Sequence, residues 1–210
     1  MRSGSMFFKQ VLAGMGVLLA LTVVFGVAYP AAVWGISRLG IDSAEGSPLR
    51  ASGGCVVGSA LIGVDPAAPA EGTDPFFHAR VTGSVADDDP FAPGDPAAAS
   101  PTHQGPSSET LAAFVDARRT LIAERENVAP SQVPADAVTG SGSGVDRHIS
   151  PDYARIQVPR VAAATGRSIE DVQALVENNT DGRQFGVLGR AGVNVTTLNV
   201  ALDLVAPGCG

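Results

Sequence analysis

One long apolar segment dominates the hydropathy pattern near the N-terminal end of the chain. Residues 11–36 contain no charged side chain, whereas a helix buried in a water-soluble protein normally keeps a polar face. As a helix, these 26 residues would extend about 39 Å, enough to cross a bilayer with some tilt. The pattern therefore predicts a transmembrane helix over residues 11–36, preceded by a short tail, residues 1–10.

The residues that flank this segment indicate its kind and its orientation. A cleaved signal peptide is the alternative, but its apolar core is normally about 7–15 residues long. Here the apolar run continues through Trp34, which favours an uncleaved anchor. Arg2 and Lys9 precede the segment and no acidic residue does. The positive-inside rule therefore predicts a single-pass cell membrane protein with a cytoplasmic N-terminus and with residues 37–210 extracytoplasmic.

Helical periodicity recurs in three places beyond the anchor, each with a serine that can cap the helix. Apolar side chains at helical spacing predict a helix that Ser107 or Ser108 can cap and that runs to about Asn127. Ser150, with a proline directly after it, predicts a second helix that Pro159 would shorten or bend. Ser168 with Asp171 resembles a capping box and predicts a third.

Strand patterns are shorter than the helical ones. A β-branched run predicts a strand over residues 55–64, and residues 184–188 predict another. Residues 193–205 fit a helix or a strand, with the helix favoured. Residues 65–106 hold eight of the fifteen prolines and predict a long irregular surface segment. The expected fold is one N-terminal transmembrane helix plus a mixed α/β (α+β) extracytoplasmic domain.

The charge balance and the cysteines exclude two kinds of site. The chain carries a formal net charge of −7, and its outer part is more acidic still because two basic residues precede the anchor. Nucleic acid binding needs a basic surface, so no nucleic acid partner is expected, whereas membrane lipid is. Cys55 and Cys209 could form one disulfide outside the cytoplasm. No cysteines have metal-site spacing, so no metal is expected.

A glycine–serine run at residues 140–144 is the first candidate for chemistry. A P-loop would need a lysine after its last glycine, but Val145 follows. A nucleophile elbow needs glycine two residues on each side of the serine, which neither Ser141 nor Ser143 has. A dinucleotide fingerprint lacks its third glycine. Backbone N–H groups here could still form an anion-binding nest, and Gly142 is expected to adopt a positive φ.

Three polar residues after this run could in principle assemble acid–base chemistry. An alternative function is therefore a membrane-anchored extracytoplasmic enzyme using Asp146 and His148. The simpler interpretation is that Asp146 fixes the turn, His148 bonds the backbone and Ser150 caps the next helix. This interpretation is favoured because a catalytic triad is defined by geometry, and no catalytic residue is predicted.

Four further polar residues have two possible roles. Gln157 and Arg160 lie three residues apart on one helical face. Arg160 could form an internal ion pair or serve as an interface anchor, since arginine is enriched at hot spots. The same alternatives apply to His78 and Arg80.

Several motifs in a fixed order resemble one known family. They are the run VTGSGSGVDRHISPDYARIQVPR at residues 138–160, Gly58-Ser59-Ala60-Leu61-Ile62-Gly63, Phe76-Phe77-His78-Ala79-Arg80, Val193-Asn194-Val195 and Leu198-Asn199. Together they resemble the C subunit of the Kdp potassium-transporting P-type ATPase, the KdpC family. The resemblance extends over nearly the whole chain.

This resemblance implies a non-catalytic subunit of an ATP-driven, high-affinity potassium import complex. Such a subunit would assemble and stabilise two partners, the potassium-pore subunit and the P-type ATPase subunit. A role proposed in the family, raising the ATP affinity of the ATPase subunit, would place ATP at Ser141, Gly142, Ser143 and Gly144, with no firmly bound cofactor. That role needs a cytoplasmic loop, whereas the flanking charges place the loop outside. Residues of a partner interface or a structural motif are then His78, Arg80, Asp146, His148, Ser150, Gln157 and Arg160.

Overall fold

A computed structural model describes residues 2–51, 53–63, 65–80, 101 and 103–204. Contacts between residues divide the chain into two units, Met1–Gly46 and Ser47–Gly210.

The first unit is one nearly continuous apolar helix. It consists of α1 (Arg2–Val23), a π-helical turn (Val24–Ala28), α2 (Tyr29–Ser37), a 3₁₀ turn (Arg38–Gly40) and α3 (Ile41–Ala44). Because Pro30 has no N–H for the carbonyl four residues earlier, the turn before it widens, and the Tyr29 N–H bonds the Val24 carbonyl. The segment Ser5–Ala44 is long and apolar enough to cross a membrane, and its most apolar window is not buried in the protein.

The second unit mixes helices with two small antiparallel sheets. Its elements are β1 (Pro48–Arg50), β2 (Val56–Ser59), α4 (Glu109–Glu126), a 3₁₀ turn (Pro130–Gln132), α5 (Ala135–Val138), β3 (His148–Ile149), α6 (Pro151–Thr165), α7 (Ile169–Asn178), β4 (Thr180–Asp181), β5 (Gly192–Asn194) and α8 (Val195–Ala201). Strands β1 and β2 pair with each other, and β5 lies between β3 and β4. The predicted fold class, an apolar N-terminal helix followed by a mixed α and β domain, is confirmed.

Serine caps start the three long helices of this unit. The hydroxyls of Ser108, Ser150 and Ser168 each accept a hydrogen bond from the N–H three residues later, at the starts of α4, α6 and α7. Left-handed residues end α4 at Asn127 and α6 at Gly166. These local signals explain why the helix starts follow directly from the sequence.

Four sequence predictions about individual elements need correction or refinement. Helix α6 is not shortened by Pro159, because that residue lies on the exposed face, where water can bond the carbonyl that Pro159 leaves without a partner. Residues 184–188 form a tight hairpin rather than a strand, with one bridge between Gln184 and Leu188. The predicted strand over residues 55–64 is shorter, and residues 193–205 contain both the end of β5 and all of α8.

Two predictions fall partly on residues outside the described ranges. The described part of the predicted irregular segment, residues 65–80, 101 and 103–106, contains neither helix nor strand, and the rest of it lies outside those ranges. Cys55 is disulfide-bonded, and Cys209 lies outside the described residues.

The hydrophobic core lies where α4, α6, α7 and α8 meet β3 and β5. Its side chains include Phe77, Ile122, Ile149, Tyr153, Val161, Val172, Val193 and Leu198, all almost fully buried. Phe77 belongs to no helix or strand, so its burial brings an irregular segment into the centre of the domain.

Candidate functional site

Two amide side chains hold this irregular segment inside the domain. Gln157 accepts a hydrogen bond from the His78 N–H at 2.8 Å and donates one to the His78 carbonyl at 3.2 Å. Asn199 accepts from the Phe77 N–H and donates to the Phe77 carbonyl, both at 2.9 Å. We call Gln157 and Asn199 the amide clamp.

The amide clamp takes the place of the neighbouring strand that a buried extended segment would need. Buried backbone N–H and C=O groups require partners, and a side-chain amide offers one acceptor and two donors. Gln157 belongs to α6 and Asn199 to α8. They lie 79 and 122 residues from the peptide groups that they bind. Three motifs that are far apart in the sequence therefore meet at one place.

The imidazole of His78 bridges two carboxylates beside the amide clamp. Its Nδ1 lies 3.1 Å from Asp65 Oδ1, and its Nε2 lies 2.5 Å from Asp74 Oδ2. A neutral imidazole has only one N–H, whereas both carboxylates accept hydrogen bonds. The geometry therefore favours the protonated imidazolium, whose two N–H groups can donate to Asp65 and Asp74 at the same time.

Burial and charge act in opposite directions on these groups. Burial lowers the pKa of His78, but the hydrogen bonds to Asp65 and Asp74 outweigh burial and raise the pKa above the ordinary 6.5. The charge of Arg125 has a smaller opposing effect on the pKa of His78. Burial raises the pKa of Asp74, but His78, a backbone N–H and Arg160 together lower it below the ordinary 3.8.

Arg160 joins α6 to the same buried segment and to α4. Its Nε donates to Glu126 at 2.8 Å, while Nη1 donates to the Asp74 and Phe76 carbonyls at 2.6 and 3.0 Å. Its Nη2 donates to Gln157 at 3.2 Å. Only 7% of the Arg160 side chain is exposed. The guanidinium therefore makes its hydrogen bonds within the domain.

A second arginine shares the carboxylate that binds Arg160. Arg125 donates to Glu126 at 2.6 Å and to the Tyr153 hydroxyl at 3.0 Å. Burial raises the pKa of Tyr153 to about 12, although Arg125 opposes the rise. Glu126, whose side chain is 0% exposed, therefore has two arginine partners, as a buried charge requires.

The glycine–serine loop, residues 140–144, is closed by its own hydroxyl groups. The Ser141 Oγ accepts from the Gly144 N–H at 2.7 Å, and the Ser143 Oγ accepts from the Val145 N–H at 3.2 Å. The positive φ belongs to Gly144, at 72°, and Gly142 has open space around it and no positive φ. The expectation of a positive φ at Gly142 is wrong, because the left-handed residue of this turn is Gly144.

Arg80 connects the glycine–serine loop to the buried segment. Its Nη1 donates to Asp146 and its Nη2 to the Gly140 carbonyl, both at 3.2 Å. Gly63 packs against the same stretch, since a Cβ at that position would lie 2.3 Å from the Asp146 carbonyl oxygen. Arg80 thus binds the loop itself, and Gly63 packs against the backbone that follows the loop.

Asp146, His148 and Ser150 are neighbours but do not form a triad. Asp146 accepts from the His148 N–H at 3.0 Å, and the His148 ring lies 2.8 Å from Asp181. The Ser150 hydroxyl donates to Asp136 at 2.8 Å and caps α6. Among the described residues, no hydrogen bond joins Ser150 to His148, so the nucleophile–base contact of a triad is not formed.

An open cleft lies beside these residues. Its volume is about 750 Å³, and its walls include Arg80, Asp136, Asp146, His148, Asp181 and Leu188. Within the described ranges, no group of three histidine, cysteine or acidic side chains is suited to hold a metal ion. The cleft therefore presents charges of both signs at the surface of the domain.

Comparison with known proteins identifies the family. The family description "K+-transporting ATPase, c chain", KdpC, matches residues 11–204. The chain belongs to the KdpC family. The potassium-transporting ATPase KdpC subunit of Mycobacterium tuberculosis (strain ATCC 25618 / H37Rv) is 41% identical over 199 residues, covering 93% of this chain and 98% of the relative. Those of Kineococcus radiotolerans and Caulobacter vibrioides are both 42% identical, covering 95% of this chain and 95% and 93% of the relatives.

The KdpC motifs contain both partners of the amide-clamp contacts, but only one partner of each ion pair that His78 and Arg160 form. Sequence analysis singled out His78, Gln157 and Arg160, but it missed the carboxylates Asp65, Asp74 and Glu126. These three acidic residues lie outside the quoted motifs, and no local spacing marks an acidic residue as buried. Asn199 and Gly63 stood within the motifs, so a search for polar residues on apolar faces would have found Asn199.

The His78 bridge predicts a pH-dependent stability of this KdpC-family domain. A raised pKa means that the folded state binds more protons, so the free energy of unfolding falls as the pH rises. We expect this contribution to be complete below about pH 6.5 and to be lost as the pH rises through the raised pKa of His78. Asp74 acts oppositely, and its contribution is lost as the pH falls through its lowered pKa.

Denaturant unfolding of the full chain in detergent, repeated between pH 6 and pH 9, measures this slope. His78→Gln is expected to flatten the slope, because it removes the group whose raised pKa produces the slope. An unchanged slope in His78→Gln would show that another group titrates.

Proposed function

We propose that this chain is a non-catalytic subunit of an ATP-driven potassium import complex. It assembles and stabilises a potassium-pore subunit and a P-type ATPase subunit. The observation that carries the proposal is the KdpC family match over residues 11–204. The internal bonding of Gln157, Arg160 and Ser150 supports it, because these side chains stabilise a shape rather than line a reactive centre.

The proposed topology is a single span with the mixed domain outside. It is supported by the apolar helix and by Arg2 and Lys9 before its apolar run. A membrane-impermeant thiol reagent is expected to label the chain in intact cells after mild reduction, since Cys55 is disulfide-bonded. Labelling that requires cell lysis would place the domain in the cytoplasm.

We infer that any effect on the ATP affinity of the ATPase subunit acts through subunit contacts. The Gly144 and Val145 N–H groups are already bonded to Ser141 and Ser143, so two donors of a phosphate nest are occupied. An ATP site at Ser141, Gly142, Ser143 and Gly144 also needs a cytoplasmic loop. The enzyme alternative with Asp146 and His148 has less support, because Ser150 is bonded to Asp136 instead.

Co-expression with both partner subunits tests the proposal. The wild-type chain should co-purify with both, and the complex should hydrolyse ATP in response to potassium, whereas the isolated chain should not hydrolyse ATP. Ser143→Ala, at an exposed position, should leave the KM for ATP unchanged in the complex. A chain that binds neither subunit would refute the assembly role, and a large rise in KM in Ser143→Ala would indicate a direct nucleotide site.

A further inference from the structure

Asp65 joins the ring of His78 to the peptide group of the next residue. Its Oδ1 lies 3.1 Å from His78 Nδ1 and accepts a hydrogen bond of 2.8 Å from the Ala79 N–H. One carboxylate oxygen therefore contacts both a titratable ring and the backbone of a residue that is only 3% exposed. We call these two contacts of Asp65 the Asp65 latch.

The residue that follows the Asp65 latch binds the glycine–serine loop. Arg80 donates to the Asp146 carboxylate and to the Gly140 carbonyl, both at 3.2 Å. Only Ala79 separates Arg80 from His78 in the sequence. A shift of the backbone at Ala79 therefore moves the point from which the Arg80 side chain reaches the loop.

Loss of one proton from His78 breaks the Asp65 latch rather than the contact with Asp74. A neutral imidazole keeps only one N–H. The His78 Nε2 is 2.5 Å from Asp74, closer than Nδ1 is to Asp65. The Asp74 side chain is also the more buried of the two carboxylates, at 10% exposed against 32% for Asp65, and a buried charge without a partner is costly. The remaining proton therefore stays on Nε2, and the bare Nδ1 faces the Asp65 carboxylate.

The helices packed against His78 bring further titratable and charged groups towards it. These are Arg125 and Glu126 on α4, and Tyr153 and Arg160 on α6. Glu126 is bonded to both arginines, and the raised pKa of Tyr153, about 12, keeps its hydroxyl neutral well above pH 7. Helix α8 contains no charged side chain. His78 is therefore the group of this network whose charge changes just above neutral pH.

We propose that protonation of His78 controls the glycine–serine loop through the Asp65 latch and Arg80. When His78 is protonated, Asp65 binds both the ring and Ala79, and Arg80 keeps its two bonds to the loop. When His78 is neutral, Asp65 turns towards water, the backbone at Ala79 is released, and Arg80 and the loop open together. The opening is local, because the amide clamp still binds the peptide groups of Phe77 and His78.

This device adds a pH response to the surface of the domain. It differs from the pH-dependent stability described above, which concerns unfolding of the whole domain. It does not depend on the proposed function either, because every contact in it lies within this chain. The raised pKa of His78 places the response above pH 6.5.

Hydrogen exchange of the full chain in detergent, measured between pH 6 and pH 9, tests the proposal. The reporters are the Ala79 N–H, bonded to Asp65, and the Gly144 N–H, bonded to Ser141 within the loop. Protection is the exchange rate of an unstructured peptide at the same pH divided by the measured rate. We expect protection at both positions to be constant below about pH 6.5. Above it, protection falls about tenfold for each pH unit until the pH reaches the raised pKa of His78.

Two independent measurements make this expectation quantitative. NMR titration gives the pKa of His78, whose signal is the one that remains when the other two histidines, His103 and His148, are replaced by glutamine. The fall in protection must end at that pKa. Low urea must leave exchange at Ala79 and Gly144 unchanged while it accelerates exchange at Val158 in the core, because a local opening exposes little surface. A fall that ends elsewhere, or equal urea dependence at all three positions, would overturn the proposal.

Two variants separate the steps of the coupling. Asp65→Asn keeps an acceptor for the Ala79 N–H but removes the charge beside His78, so the fall in protection is expected to shrink at both reporters. Arg80→Gln leaves the Asp65 latch intact, so the fall is expected to persist at Ala79 and to shrink at Gly144. Constant protection of Gly144 in the wild type, or a wild-type response in either variant, would refute control of the loop by His78 through this route.

Discussion

Arg160→Ala is expected to lower the free energy of unfolding by about 3–5 kcal/mol, the usual cost of breaking a buried ion pair. The change would leave the Glu126 carboxylate, whose side chain is 0% exposed, with Arg125 as its remaining arginine partner. It would also remove the donors to the Asp74 and Phe76 carbonyls. The loss is therefore larger than that of one surface contact. Urea unfolding of the full chain in detergent, followed by circular dichroism, measures it.

The control for Arg160 lies on the same helix. Arg155 pairs with Asp152 at 2.7 Å, and both side chains are about two-thirds exposed, at 67% and 68%. Exposed pairs contribute little, so Arg155→Ala is expected to cost about 0–1 kcal/mol. Equal losses in the two variants would contradict the view that Arg160 works through its buried contacts.

Gly63→Ala is expected to destabilise the domain by about 1–3 kcal/mol, the range for an overpacked site. The new Cβ would lie 2.3 Å from the Asp146 carbonyl oxygen and 2.9 Å from the Arg147 Cα. Because both are backbone atoms, no side-chain rotation can relieve the contact. The backbone at Asp146 and Arg147 must shift instead, and this shift is expected to weaken the hydrogen bond from Arg80 to Asp146. The same unfolding measurement detects this loss, and co-purification with the partner subunits shows whether assembly is also reduced.

Gly58 supplies the matched control for Gly63, five residues earlier. A Cβ there would meet only the Thr196 methyl group, at an ordinary 3.6 Å. Gly58→Ala is therefore expected to be neutral or to stabilise by about 0.4–1 kcal/mol, because alanine restricts the unfolded chain. A Gly63→Ala variant as stable as Gly58→Ala would mean that the backbone at Asp146 and Arg147 yields easily to the added methyl group.

The two substitutions test different parts of one arrangement. Arg160, on α6, donates hydrogen bonds to the segment around Phe76. Gly63, in the turn after β2, allows this turn to approach the backbone at Asp146. Arg80 links these parts through its bonds to Asp146 and the Gly140 carbonyl. We therefore expect the glycine–serine loop to act through its shape and its contacts with neighbouring subunits.

The sequence by itself determined the features that depend on neighbouring residues. Local composition and spacing predict the apolar helix, the family motifs and the helix starts at Ser150 and Ser168, and they narrow the remaining start to Ser107 or Ser108. A helix cap joins residues three apart, so its chemistry is visible in a short window. Where a local rule failed, as for Pro159, the reason was the side of the helix on which the residue lies.

Only the tertiary structure decided which polar residues meet. The partners of the His78 peptide group and of Phe77 are 79 and 122 residues away, and the Glu126 partner of Arg160 is 34 residues away. Nothing local distinguishes a carboxylate that will be buried beside an arginine from one that will face water. That choice is made when the helices pack, because a buried donor or acceptor without a partner is costly. The packing in which these buried groups bind one another is therefore the most stable one.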